Sequence, residues 1–136
     1  MGFLLDTNVI SEARKPAPDP NVRRWVASVS GTELYISVMV LGEIRQGIER
    51  LRGRDQRKAE VYESWLAGLR RDYSEHVLPI TPEVAEEWGR LNAPRPIAAV
   101  DGLMAATAKV YDLTLVTRNL GDVSGTGARL LNPFEA

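Results

Sequence analysis

Short apolar runs alternate along this chain with longer stretches whose apolar residues recur at helical spacing. Phe3-Leu4-Leu5 is apolar throughout and ends on Asp6, which predicts a short buried strand followed by a helix over Thr7 to about Arg14. Pro16, Pro18 and Pro20 stop that helix, and Asp19-Pro20 starts the next, because Asp can cap and Pro suits the first turn. Val22, Trp25, Val26 and Val29 give this second helix an apolar stripe. Gly31-Thr32 breaks the chain before a strand at Leu34–Ser37. Leu41, Ile44, Ile48 and Leu51 then mark a helix from Val38 that Gly53 ends.

A long helix is predicted over about Arg54 to Tyr73, with Val61, Trp65, Leu66 and Leu69 on its apolar side. Val77 to Ile80 reads as a third strand, at an edge or irregular because it contains Pro79. Thr81-Pro82 begins a helix to about Leu91. A loop with two prolines, Asn92 to Pro96, leads to an Ala-rich helix over Ile97 to Tyr111. Leu113 to Thr117 is β-branched and apolar, which predicts an interior strand. Residues 118–128 read as a Gly-rich loop or short helix, and Leu130-Leu131 as a last short strand. Strands that alternate with helices or helix pairs predict an α/β fold in three α/β/α layers, with a central, mostly parallel sheet of four to five strands. Without repeats or a linker, residues 1–136 are expected to form a single domain.

Composition narrows the function. No apolar run approaches the roughly 20 residues of a membrane span, and the N-terminus lacks the pattern of a signal peptide, so a cytoplasmic protein with no membrane association is the expectation. There is no cysteine and only one histidine, which excludes thiolate nucleophiles and cysteine zinc sites. The net charge of −1 is not that of a polycation that wraps nucleic acid. Of 17 basic residues 14 are Arg, and Arg45, Arg50, Arg52, Arg54 and Arg57 are crowded together. That cluster is either a solvated helical pair or a patch facing phosphate. His76 reads as a surface residue without a catalytic role, and Trp25, Trp65, Trp88 and Tyr35 as core or interface residues.

The candidate chemistry lies in four acids. Asp6 follows strand one, Glu43 lies on the helix after strand two, Asp101 is near the start of the helix before strand four, and Asp122 follows that strand. In open parallel sheets the crevice at the strands' C-terminal ends binds ligands. Carboxylates gathered there repel one another unless a cation joins them. Mg²⁺ or Mn²⁺, which prefer oxygen ligands, would relieve the repulsion and could orient water on a phosphodiester.

Four segments carry a resemblance: Phe3-Leu4-Leu5-Asp6-Thr7-Asn8-Val9, Ile36 to Ile44 with Gly42-Glu43, Asp101 to Ala108, and Leu115-Val116-Thr117-Arg118-Asn119-Leu120-Gly121-Asp122. In this order and at this spacing the chain resembles the PIN-domain family and, within it, VapC-type toxins of type II toxin–antitoxin pairs. The resemblance implies a Mg²⁺- or Mn²⁺-dependent endoribonuclease with a PIN-like fold. It implies that Asp6, Glu43, Asp101 and Asp122 are catalytic metal-site acids, that Thr7 and Ser37 are hydroxyl supports, and that Asn119 is a polar neighbour. Where the family often has an aromatic after the last acid this chain has Val123, so Asp122 and Asn119 both stand as candidates for the fourth position. The implied partners are an RNA substrate, a VapB-like antitoxin, a second copy in a homodimer, and operator DNA reached through the antitoxin. Two other readings are weighed: a PIN-type nuclease of RNA maturation outside toxin–antitoxin systems, and a Mg²⁺-binding receiver-type signalling domain, against which stand Thr7 in place of a second acid after strand one and Arg118-Asn119 in place of a Lys after strand four.

Overall fold

The computed structural model describes residues 2–135. β1 (Phe3–Leu5) is the middle strand of a five-stranded sheet. β2 (Leu34–Ser37) and β3 (Val77–Leu78) lie on one side of it, β4 (Thr114–Val116) and β5 (Arg129–Leu131) on the other, giving the order β3-β2-β1-β4-β5 with every pairing parallel. Parallel strands need crossovers, and here helices supply them: α1 (Thr7–Ala13) and α2 (Pro20–Ser28) from β1 to β2, α3 (Val38–Arg52) and α4 (Gln56–Asp72) from β2 to β3, α5 (Pro82–Asn92) and α6 (Ala99–Val110) from β3 to β4. The short α7 (Leu120–Val123) precedes β5. A receiver-type domain has the strand order 2-1-3-4-5; the observed order removes that alternative.

The core explains the strand sequences. Leu4, Ile36 and Val116 are wholly buried and Leu115 nearly so, because helices cover both faces of the sheet. The opposing surfaces come from Val9, Val40, Ile48, Met104, Ala105 and Ala108. α6 is rich in small residues for a packing reason. A Cβ on Gly102 would stand 3.0 Å from the Trp88 ring, so the missing side chain lets α5 lie close against the first turns of α6.

The structure departs from the sequence pattern in a few places. β3 is two residues long and at the sheet edge, since Pro79 has no N–H to continue the ladder. α6 begins at Ala99 rather than Ile97, whose N–H donates to Asn92 Oδ1 (2.8 Å) and is held in the loop. Gly31–Glu33 is a 3₁₀ turn closed by reciprocal bonds between Ser30 and Glu33. On the α2 stripe Val22 is fully buried, Trp25 packs edge-on against Phe3 at 5.2 Å, and Val26 and Val29 are half-buried. In the Arg cluster, Arg45 and Arg52 both bind Glu63 (2.6 Å each) and Glu49 (3.1 Å each), tying α3 to α4. For those two residues the helical-pair alternative holds. Arg45 pulls the Glu63 carboxyl down to about 2.

Candidate active site

β1 and β4 run in register, Leu5 beside Val116, so the residues one step beyond their C-terminal ends are neighbours. Those residues are Asp6 and Thr117. The Asp6 amide donates to the Val116 carbonyl (2.9 Å), continuing the ladder, and the Asp6 side chain then starts α1 as its N-cap. Its carboxylate is 8% exposed and held from several sides. Oδ1 accepts from the Thr7 amide (2.7 Å), and Oδ2 accepts from the Thr117 hydroxyl (2.8 Å) and more weakly from Asn8 Nδ2 (3.4 Å).

Glu43 projects from α3 towards the same point, where its Oε1 accepts from the Thr7 hydroxyl at 2.5 Å. Thr7 therefore joins two of the acids, its amide on Asp6 and its hydroxyl on Glu43. Asp101 lies in the first turn of α6 and Asp122 in that of α7, and both line one hollow of about 220 Å³ with Arg95, Pro96, Ile97 and Gly121. Burial pushes the Asp101 carboxyl up, and repulsion from Asp6, Asp122 and Glu43 raises it further. One carboxyl thus feels all of the other three. A wider hollow of about 630 Å³, lined by residues such as Leu34, Tyr73 and His76, contains none of these acids.

Whether this donor set suits a metal is a question of chemistry and spacing. The donors are carboxylate oxygens, with no histidine or thiol among them, which suits Mg²⁺ or Mn²⁺ rather than zinc. Among the described residues no three acids draw together into a ready-made cage. Mg²⁺ needs none, since it keeps several waters and binds through one or two carboxylates. Asp6 and Glu43, joined through Thr7, and Asp101 and Asp122, which share a hollow, are pairs of the size that mode asks for.

The profile of the PIN domain matches residues 3–121. The chain belongs to the PIN-domain family. Among curated relatives of this PIN domain, toxin FitB of Neisseria gonorrhoeae is 32% identical over 97% of this chain and 98% of its own. VapC ribonuclease Y4jK of Sinorhizobium fredii is 29% identical, with 98% of each chain covered. In a solved structure of FitAB bound to an IR36 DNA fragment, the matching chain superposes with a TM-score of 0.87 at 30% identity, covering 98% of this chain and 96% of that one.

The neighbours of the acids in this PIN domain differ in part from those the motifs suggest. Ser37 is fully buried, but its hydroxyl accepts from the Met39 amide (3.0 Å) as the N-cap of α3. It serves Glu43 by starting the helix that carries it. The Asn119 side chain caps nothing; its amide donates to the Thr117 hydroxyl (3.1 Å). Asp122, not Asn119, is the residue that shares the hollow with Asp101. Thr117 and Asn8 escaped sequence reasoning, although Thr117 is 1% exposed and bonded to Asp6, and Asn8 accepts from the Arg118 amide (3.3 Å). The signal for Thr117 was its place at the end of β4, which becomes informative once β1 is known to pair with β4. His76 has a structural place, with Nδ1 2.8 Å from the Leu34 carbonyl and its ring stacked on Tyr35. No helix of the described chain is long and apolar enough to cross a membrane.

Proposed function

We propose that this PIN domain is a Mg²⁺- or Mn²⁺-dependent endoribonuclease that acts as the toxin of a type II toxin–antitoxin pair. The observation that carries the proposal is the joining of Asp6 and Glu43 through Thr7, with Asp101 and Asp122 together in the neighbouring hollow and Asp101 within reach of the charge of all three. Relatives named as a toxin and as a VapC ribonuclease, matched over nearly the whole chain, support it.

Each residue then has a definable task. Asp6, locked by Thr7, Asn8 and Thr117, offers carboxylate oxygens in a fixed orientation. Glu43 is set beside it through the Thr7 hydroxyl. Asp101 and Asp122 line one hollow, where a phosphodiester would enter. Asp6 and Asp101, with Glu43 or Asp122, would hold a Mg²⁺ or Mn²⁺ ion, which would offset their repulsion and supply an acidified water and a Lewis acid for the phosphate.

The partners proposed with this activity are an RNA substrate, a VapB-like antitoxin and a second copy in a homodimer. The FitAB complex with DNA supports a hetero-oligomer that reaches operator DNA through its second component. The test is cleavage of RNA by the purified protein with Mg²⁺ or Mn²⁺, its loss in EDTA and its return on adding metal. Asp6→Asn and Asp101→Asn should each lower activity by orders of magnitude, about 10³-fold or more, while leaving a folded protein. Cleavage that persists in excess EDTA, or in both variants, overturns the mechanism. Co-purification of a small protein encoded beside the gene tests the toxin role; its absence leaves a PIN nuclease of RNA maturation.

A further inference from the structure

A cluster of four acids repels the phosphodiester it is meant to receive, so a strand entering the site needs a cation that those acids have not already consumed. Several basic residues of the chain are committed elsewhere. Arg45 and Arg52 are paired with Glu49 and Glu63, Arg90 with Glu87, and Arg129 with Asp112. Arg14 lies over the rings of Tyr62 and Trp65, and Arg118 over Phe134.

Arg95 is different. It lines the same 220 Å³ hollow as Asp101 and Asp122, and among the described residues its guanidinium binds the Ser124 carbonyl (3.0 Å) and no carboxylate. A carbonyl holds a guanidinium without neutralising it. Arginine has five N–H donors in a planar fork, and a single bond to a carbonyl leaves most of them free for phosphate oxygens. The backbone also presents the residue in a restricted way. Pro94 and Pro96 bracket Arg95, and a residue before proline is confined to extended conformations. Little backbone freedom is then lost when the side chain closes on a ligand.

We propose that Arg95 grips a backbone phosphate of the RNA strand beside Asp101 and Asp122, which adds a substrate-binding cation to the acidic site. The proposal rests on the ribonuclease function above. A phosphate contact carries no base information, so the grip is the same for every sequence.

The experiment compares wild type, Arg95→Gln and Arg95→Lys. Gln keeps an N–H for the Ser124 carbonyl but not the charge; Lys keeps the charge. The probe is a short fluorescein-labelled single-stranded oligoribonucleotide in two unrelated sequences, read by polarisation across a salt series, with Ca²⁺ replacing Mg²⁺ to limit cleavage. Arg95→Gln should weaken binding roughly tenfold for both sequences and lower the slope of log affinity against log salt by about 0.7. Arg95→Lys should keep the wild-type slope, and the melting temperatures of all three should agree. An unchanged slope in Arg95→Gln, or loss of slope in Arg95→Lys as well, overturns the proposal and leaves Arg95 as a loop tether. Cleavage with Mg²⁺ is scored separately. Wild type that binds but never cleaves refutes the hydrolase while the slopes still judge Arg95, and wild type that binds no RNA at any salt refutes both.

Discussion

Replacing Thr117 with Val deletes one oxygen and little volume, which makes it a sharp probe of how Asp6 is held. The hydroxyl donates to Asp6 Oδ2 at 2.8 Å in a place where Thr117 is 1% and Asp6 8% exposed, so water cannot easily substitute. A hydrogen bond to a charged group contributes about 1.5–3 kcal/mol. Asp6 retains its bonds from the Thr7 amide and Asn8, and the Asn119 amide loses an acceptor nearer the surface, which keeps the net cost near the middle of that range, about 2 kcal/mol. For a chain of this size that lowers Tm by about 6 °C. Thermal unfolding followed by circular dichroism in EDTA measures it. Thr117→Ser, which keeps the hydroxyl, should recover most of the loss, and a double-mutant cycle with Asp6→Asn should give a coupling of about 1 kcal/mol or more. In the ribonuclease assay kcat should fall roughly tenfold, as when a partner that orients a metal ligand is removed. A Tm within about 1 °C of wild type, or no coupling to Asp6, would refute the view that this hydroxyl fixes the carboxylate.

The remaining predictions concern charge and packing. The Asp101 carboxyl is raised in the fold, so its charged form costs stability at neutral pH; that cost is relieved as pH falls through the raised value and is gone below the ordinary 3.8. Asp101→Asn should therefore raise Tm of the metal-free protein at neutral pH, with the advantage shrinking on acidification, and an advantage independent of pH would contradict the repulsion. Trp25→Asp should destabilise by roughly 2–3 kcal/mol through loss of the edge-on contact with Phe3; wild-type melting would show that the contact contributes little.

Much of the fold was legible because its strands are short apolar runs that end on punctuating residues. Phe3-Leu4-Leu5 followed by Asp6 gives β1 and a site residue at once, and Asp19-Pro20 and Thr81-Pro82 give two helix starts. Thr117 was not legible, since its meaning depends on a pairing across 111 positions of sequence. The α2 stripe shows a different limit: periodicity reveals that a face seeks apolar cover but not whether the cover is the chain's own Phe3 or another molecule. The 3₁₀ turn at Gly31–Glu33 carried a signal, the Ser30…Glu33 capping box, hidden beside a glycine that suggested a simple break. For Arg45 and Arg52, one-dimensional crowding could not show that Glu63, on the next helix, would take up both charges.

The central place of β1 has a consequence for the time order of synthesis. The first strand to be made is also the middle of the sheet, and it waits for β4, the fourth, before its second edge is paired. Until residue 117 has left the ribosome, Asp6 lacks the hydroxyl that orients it, and until residue 122 has followed, the hollow lacks its second carboxylate. At the roughly 5–20 residues per second of translation, a nascent chain spends several seconds with Asp6 and Glu43 already made and Asp122 still to come. The proposed ribonuclease would thus be withheld until Asp122 has been made, and chains abandoned before that point would be harmless to the RNA around them.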